Sequence, residues 1–435
     1  MRFLFAIIIG KILRFAGGFV NRSTNLPGHV ALKICPDLLK KIKVTGKTIA
    51  VTGSNGKTTT SNLIAHILRK NGYKVINNKE GSNMISGCTT TLVAACSMKG
   101  IVKTDFVVLE VDERHSRLVF KDLKLDYFLI NNLLRDQVVR NGNPDIVMSK
   151  IEKAIQPETT LILNANDPIT GRIAPENKRV YFGMDRTSRS TDQCENITHD
   201  CKVCPICFGE MSYNYYHYNH LGDFQCKGCG YKRPTPDFFA ENVDFETGKF
   251  TINGVPAKVS YKTPFHFFNS TGATAMTVTC GVPIEKAIAS LSTFEVSRER
   301  YDEFDVDGRK AVLMLTKQNP VSLDQSISFV LTKPEEKTIV FYVNNVIYLE
   351  NKDISWLYDV AFEKLIGETK YIVCAGSRAY DVAVRLKLAG FKDEELFTTT
   401  DLSNFKDTLK DTKGTIYVLA ASAFGDEDGV LEALK

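Results

Sequence analysis

Val51-Thr-Gly-Ser-Asn-Gly-Lys-Thr-Thr-Thr60 follows the apolar segment Thr48-Ile-Ala-Val51 and precedes the helical pattern Ser61-Asn-Leu-Ile-Ala-His-Ile-Leu-Arg-Lys70. A strand, a glycine turn and a helix in that order build a phosphate cradle. Gly53 and Gly56 let the backbone turn tightly, so that successive N–H groups and the positive end of the helix face an anion. Lys57 then reaches the terminal phosphates and Thr58 is placed for Mg²⁺. The alternative is a chance glycine turn before a helix. Strict P-loop spacing asks for a glycine at 51, where Val51 stands, so the match is to a shorter G-x-x-G-K-T-T form. The loop predicts binding of a nucleoside triphosphate.

Outward from the loop, Asp105-Phe-Val-Val-Leu-Glu110 reads as a buried strand ending in a carboxylate, where a parallel sheet places its ligands. Glu110 is the candidate second ligand for Mg²⁺. Tyr127-Phe-Leu-Ile-Asn-Asn132 is another strand, followed by Leu-Leu-Arg-Asp136-Gln137, and Leu161-Ile-Leu-Asn164-Ala-Asn166-Asp167-Pro168 is a third. Strands often end in Asn or Asp for turn reasons alone, so the weight lies in the set and its order. Strands alternating with helices from about 47 to 190 predict a doubly wound parallel sheet. A further α/β unit starts near Arg298, with strands at Thr338–Val343, Tyr371–Ala375 and Thr415–Leu419.

Cys204-Pro-Ile-Cys207 and Cys226-Lys-Gly-Cys229 are two C-x-x-C knuckles separated by eighteen residues, the spacing of a four-thiolate zinc ribbon. Glycines at 228 and 230 permit N–H groups to turn toward the thiolates. Cys201 forms an overlapping C-x-x-C with Cys204, which leaves a shifted register open. His217 and His220 lie among Tyr213, Tyr215, Tyr216 and Tyr218 between the knuckles, as exposed or packing residues, because four cysteines already close the site. A zinc ribbon often signals nucleic acid, but this one lacks a dense basic run; a structural role is expected, with no nucleic-acid partner.

Composition bounds the rest. The 435 residues suffice for two or three domains with full cores, and a net charge of +5 implies mild attraction to anionic membranes or phosphorylated substrates. Cys88, Cys96, Cys280 and Cys374 fall in apolar or small-residue stretches and read as buried thiols. The opening Met1-Arg-Phe-Leu-Phe-Ala-Ile-Ile-Ile-Gly-Lys-Ile-Leu-Arg-Phe-Ala16 has an uninterrupted apolar core of seven residues followed by Lys11 and Arg14, too short to span a bilayer. Packing on the core and interfacial contact with a membrane are its two readings. An ATP loop and zinc thiolates fit the cytoplasm, at or near the inner face of the membrane.

The short loop with its preceding Thr52 resembles the ATP-binding loop of the Mur ligases and the related folylpolyglutamate synthetases, which phosphorylate a carboxylate before making an amide. With the inserted Cys-four ribbon and about 46 residues before the loop, it is similar to the MurT family, the ligase subunits of lipid II isoglutaminyl synthase. The resemblance continues through Leu26–Leu39, Asn269, Arg300-Tyr-Asp-Glu-Phe304, Asn319-Pro320, Asp353-Ile-Ser-Trp356-Leu-Tyr-Asp359 and Gly376–Gly390, and so covers nearly the whole chain. It implies an α/β fold: a helix and linker with an Asn25–Gly28 turn over 1–46, a Mur-ligase-type P-loop central domain over 47–297 interrupted by the ribbon at about 198–236, and a smaller Rossmann-like domain over 298–435.

The resemblance also implies site residues. Gly53, Ser54, Asn55, Gly56, Lys57, Thr58, Thr59, Asn132, Asn164, Asp167, Asn269 and Arg300 would surround ATP; Thr58 and Glu110 would hold Mg²⁺; Cys204, Cys207, Cys226 and Cys229 would hold Zn²⁺. Departures from the family pattern are Gln137 for a usual His, His266 for the first Asn of an N-x-x-N pair, Gln318 between Lys317 and Asn319, and Val343–Glu350 for an acidic, glycine-containing loop. No lysine stands out for the carbamylated metal bridge of many Mur ligases; Lys150 is nearest and reads as a solvated charge. The implied reaction is ATP-dependent amidation of the α-carboxylate of D-glutamate in lipid II. Ammonia would come from a class I glutamine amidotransferase of the GatD type in a heterodimer, and Asp353, or alternatively Asp359, would complete that partner's Cys-His pair. Either Asp could instead cap its helix. A stand-alone ligase adding an amino acid, and a silent zinc-ribbon adaptor, are the competing functions.

Overall fold

The computed structural model describes residues 1–18, 24–78, 82–136, 142–260, 262–294, 301–345, 353–421 and 432. Gln137, Arg300 and the end of the Val343–Glu350 loop lie outside them. The chain divides into two compact units: Met1–Leu134, Asn143–Asp192 and Cys201–Glu295 form the first, and Arg135–Gly142, Gln193–Asp200 and Val296–Lys435 the second.

The first unit opens with helices α1 (Arg2–Gly17), α2 (Leu26–Ile34) and α3 (Leu38–Lys41). Asn25–Gly28 is therefore not a turn in a linker: Pro27 occupies the first turn of α2, where its missing N–H costs nothing. Gly28 packs against α5 (Ile85–Ala95), so closely that a Cβ would lie 1.9 Å from Ser86 O. A short parallel pair, β1 (Lys43–Val44) with β4 (Ile101–Val102), precedes the main sheet.

That sheet contains β2 (Lys47–Thr52), β3 (Val75–Asn77), β5 (Phe106–Glu110), β6 (Tyr127–Ile130), β7 (Thr160–Asn164), β8 (Arg179–Met184), β11 (Phe238–Glu241), β12 (Lys249–Ile252) and β13 (Val255–Lys258), in the order β13-β12-β11-β8-β7-β6-β2-β5-β3. From β3 to β11 the pairings are parallel, and β12 and β13 add an antiparallel edge. Helices cover parallel strands on both faces, which is why β5 is buried at all five positions. The chain steps from β2 to one side for β3 and β5, then crosses β2 to continue at β6. The carboxyl ends of β2, β5, β6 and β7 thus meet at the switch point, where such sheets bind ligands.

Between β8 and β11 runs an antiparallel hairpin, β9 (Met211–Tyr218) with β10 (Leu221–Cys226). The second unit holds a six-stranded sheet of β14 (Tyr301–Val306), β15 (Arg309–Thr316), β16 (Lys337–Val343), β17 (Tyr371–Ala375), β18 (Leu396–Thr399) and β19 (Thr415–Ala421), ordered β14-β15-β19-β16-β17-β18 and antiparallel only at β14. Both faces are packed: Ile339, Phe341 and Val343 of β16 enter one core, Val340 and Tyr342 the other. No described helix is long and apolar enough to cross a membrane.

Candidate active site and thiolate cluster

The loop after β2 leads into α4 (Lys57–Lys70) and is held by asparagines on the neighbouring strand ends. Asn55 N–H donates to Asn132 Oδ1 at 2.9 Å, Asn131 Nδ2 donates to Asn55 O at 3.2 Å, and Ser54 Oγ donates to Leu134 O at 2.9 Å. Gly56, at φ +83°, is required twice over: it adopts the left-handed region, and a Cβ would stand 2.2 Å from Asn269 Oδ1. Asn269 on helix Pro264–Thr279 therefore closes over the loop, and Gly53, at φ +134° within it, lies against Asn131 and Asn132, which a Cβ would meet at 3.0–3.1 Å. Thr59 is buried and Thr58 half-buried at the helix start.

Lys57 Nζ donates to Gly53 O at 2.5 Å and to Glu113 Oε1 at 2.7 Å, with side chains 7% and 8% exposed. Glu110, at the end of β5, is fixed from two sides. Its N–H donates to Asn78 Oδ1 at 2.8 Å, and its Oε1 accepts from Asn83 Nδ2 at 3.0 Å. Its other oxygen, Oε2, is buried without a hydrogen-bond partner. A buried carboxylate oxygen left over in this way suits a cation, so the donor set fits Mg²⁺. A cavity of about 390 Å³ is lined by Arg14, Asn77, Asn78, Ser82 and Thr90 among others.

Asn164 and Asp167 are both fully buried. Asn164 Nδ2 donates to Asn131 O at 2.9 Å. Asp167 Oδ2 accepts from Leu133 N–H at 2.8 Å, and Oδ1 accepts from Ile169 N–H at 2.8 Å and faces His220 Nε2 at 3.1 Å. Through the Asn164 amide N–H and the Asp167 carboxylate they fix the strand ends that carry the cradle.

His220 comes from the β9–β10 hairpin, which docks on this loop: Gly222 N–H donates to Asn166 O at 2.9 Å, and Tyr231 Oη to Pro168 O at 2.9 Å. His217 is also buried, between Ser190 Oγ at 3.0 Å and Met184 O at 3.1 Å, and burial pushes its imidazole down to about 3. Both histidines are thus packing residues, and neither is exposed.

At the far end of the hairpin Cys204, Cys207, Cys226 and Cys229 bring four sulfurs within 4.8 Å of one another. Sulfurs of 204 and 229 are 3.7 Å apart and those of 207 and 226 3.5 Å. Tetrahedral Zn–S bonds of about 2.3 Å require S···S separations of roughly 3.8 Å. Amide N–H groups of Ile206, Gly209, Gly228 and Cys229 point at the sulfurs from 3.3 to 3.4 Å, and the Cys229 amide foremost holds the Cys226 thiol below its ordinary value. The donor set fits Zn²⁺. Cys201 stays out of it, its thiol directed at Val203 O. Gly209, rather than Gly230, is the second glycine to present an amide to sulfur.

In the second unit Asp353 caps the turn Ser355–Asp359: its Oδ1 accepts from Ser355 N–H and its Oδ2 from Ser355 Oγ, both at 2.9 Å. Asp359 pairs with Arg135 at 3.4 Å. Asn319 Nδ2 donates to Asp136 Oδ1 at 3.3 Å, while Gln318 Nε2 donates to Asn344 O and Ala421 O. Lys150 is half-buried in helix Pro144–Glu152 and His266 buried at the start of helix Pro264–Thr279. Reading the sequence missed Glu113, Asn83 and Asn131, and the contact of His220 with Asp167. Glu113 had a signal, three residues past the strand-ending Glu110; the others act through contacts that no local pattern reveals.

A nucleotide cradle at the switch point of a parallel sheet, followed by a second α/β sheet, defines a Mur-type ligase. The Mur ligase middle domain matches residues 51–227 and the MurT ligase C-terminal domain residues 315–423. The lipid II isoglutaminyl synthase (glutamine-hydrolyzing) subunit MurT of Staphylococcus aureus (strain COL) is 32% identical over 397 residues, 89% of this chain and 88% of that one. The same subunit from Streptococcus pneumoniae (strain ATCC BAA-255 / R6) is 28% identical over 93% of this chain and 90% of its own. Among solved structures, a pseudomurein peptide ligase type C from Methanothermus fervidus superposes with a TM-score of 0.70 at 20% identity, covering 92% of this chain and 81% of that one. The chain belongs to the MurT family.

Proposed function

We propose that this chain is the ATP-dependent ligase subunit of a lipid II isoglutaminyl synthase, acting in peptidoglycan synthesis. The observation that carries the reading is the similarity to subunits of that name over 89% of the chain. In the first step the γ-phosphoryl group of ATP moves to the α-carboxylate of the D-glutamate in the stem peptide, giving an acyl phosphate and ADP. Ammonia then attacks the acyl carbon and phosphate leaves, so that a carboxylate becomes the amide of D-isoglutamine.

Lys57 and the N–H groups of the Gly53–Thr58 turn would offset charge on the transferring group. Thr58 and Glu110 would hold Mg²⁺, which supplies shielding of the phosphate oxygens when bound. Asn132 and Asn164 support the reading by fixing the loop, and Asn269 by closing over Gly56. Cys204, Cys207, Cys226 and Cys229 would hold a structural Zn²⁺. Ammonia at neutral pH is mostly ammonium, so a glutaminase partner supplying the free base fits the chemistry, with Asp353 or Asp359 serving its histidine. Such chemistry belongs in the cytoplasm, where ATP and reduced thiols are found.

Lys57→Ala is predicted to abolish amidation of lipid II, followed by mass spectrometry of the OH-to-NH₂ exchange, in a reconstituted mixture with the glutaminase and glutamine. Removing the lysine also takes the counter-ion from buried Glu113, so far-UV circular dichroism of the variant must show a folded chain for the loss of activity to count. Full activity in that variant, at unchanged ATP dependence, would remove the cradle from the mechanism.

A further inference from the structure

Helix α1 is apolar on two opposite sides: one is buried, and the other is largely exposed. Ala6, Ile7, Gly10 and Gly17 are buried against the first unit, where a Cβ on Gly10 would lie 2.7 Å from Val93 Cγ1. On the other side Leu4, Phe5, Ile12 and Phe15 stand 45%, 55%, 55% and 76% exposed. At 3.6 residues per turn these four fall within a sector of about 100°, with Lys11 at one margin and Arg2 about 60° beyond the other. Surface helices normally turn charge toward water. This one turns phenylalanine.

Charge along the chain is as uneven. Residues 1–36 carry Arg2, Lys11, Arg14, Arg22 and Lys33 and no carboxylate, so that this opening segment alone equals the chain's whole excess of 55 Lys and Arg over 50 Asp and Glu. An apolar stripe margined by cations matches the acyl boundary and headgroups of an anionic bilayer. With 16 residues and a buried opposite face, α1 cannot span the bilayer and must lie in its plane. Arg14 of the same helix also lines the cavity beside Asn78.

We infer that the exposed face of α1 seats the protein on an anionic lipid surface. The inference goes beyond the ligase reading and stands on the helix alone. The full chain should co-sediment with vesicles of equal parts phosphatidylglycerol and phosphatidylcholine, and partition should fall roughly tenfold in Phe5→Asp/Phe15→Asp and on pure phosphatidylcholine. Both positions are exposed, so Mg-ATP binding by the double variant should match the parent. In Phe15→Trp, whose other tryptophan is the buried Trp356, emission should shift to the blue when the anionic vesicles are added. Partition that the double variant leaves unchanged overturns the inference, as does an unmoved Phe15→Trp emission. So does a parent protein that is a dimer and becomes a monomer in the double variant, because a second copy then covers the face. The vesicles hold no lipid II, so failure here and failure of the ligase reading are separate results.

Discussion

Lys57 and Glu113 show how the cradle keeps its charge before a phosphate arrives. An ammonium 7% exposed needs a counter-ion, and Glu113 supplies one at 2.7 Å. A terminal phosphate would compete for the same ammonium. Glu113→Gln is therefore predicted to lower nucleotide-free stability by about 3–5 kcal/mol, since it removes the carboxylate from a buried ammonium, and the deficit should shrink in saturating Mg-ATP. Thermal unfolding with and without Mg-ATP reads both; an undiminished deficit would falsify the competition. His217 gives a pH-dependent counterpart. Its native value of about 3 lies below the ordinary 6.5, so the unfolded chain takes up a proton that the native state refuses. Stability from this group is thus present above about 6.5 and is lost progressively as pH falls toward 3. Urea unfolding at pH 7 and pH 5 should show that His217→Gln loses about 2 kcal/mol less than the parent over that interval. Thiolate protonation at the cluster is common to both proteins and cancels in the comparison.

At the scale of elements, the β9–β10 hairpin links two sites that lie far apart in sequence. One end is tied by four sulfurs, and the other reaches Asp167 through His220, with Asp167 holding Leu133 next to the asparagines of the cradle. About one zinc per chain is expected, and Cys226→Ser should lose metal and stability, since structural thiolate zinc contributes to folding directly. His220→Ala should keep the zinc but weaken Mg-ATP binding several-fold, because Asp167 loses a partner in a fully buried network. Metal analysis paired with nucleotide titration separates the two; a His220→Ala protein that binds Mg-ATP like the parent leaves the hairpin a bystander. The parallel strands were legible in the sequence because burial on both faces makes them apolar runs, as in Phe106–Leu109. The glycine loop was legible because phosphate chemistry restricts its residues so tightly. Asn25–Gly28 misled, since Asn, Pro and Gly mark turns and helix starts alike. The docking of His220 on Asp167 spans 53 positions, and no periodicity carries such a contact.

For the whole molecule, compact units and chain order part ways. Gln193–Asp200 lies in sequence just before the cysteine knuckles, yet clusters with the second unit, where the Asn196 amide donates to Asp324 and Glu195 pairs with Lys364 at 2.7 Å. Arg135 joins it there, bonded to Asp200 and paired with Asp359. Asp353 and Asp359 therefore have different starting positions for service to a glutaminase. Among the described residues Asp353 is bound within its own turn, through Ser355, and can exchange those bonds for an imidazole at small cost, whereas Asp359 would have to leave an arginine. If Asp353 orients the partner's histidine, Asp353→Asn should keep the complex but lose much of the glutamine-dependent amidation, because the imidazole loses the carboxylate that fixes its tautomer and stabilises its cation. Activity with added ammonium salts should persist. A capping role predicts otherwise: asparagine caps nearly as well as aspartate, so both activities would stay near the parent's. Selective loss in Asp359→Asn instead would move the role to that residue and leave the partnership standing. Full glutamine-dependent activity in both variants would mean that the glutaminase carries its own third residue, or that the two proteins do not share a site.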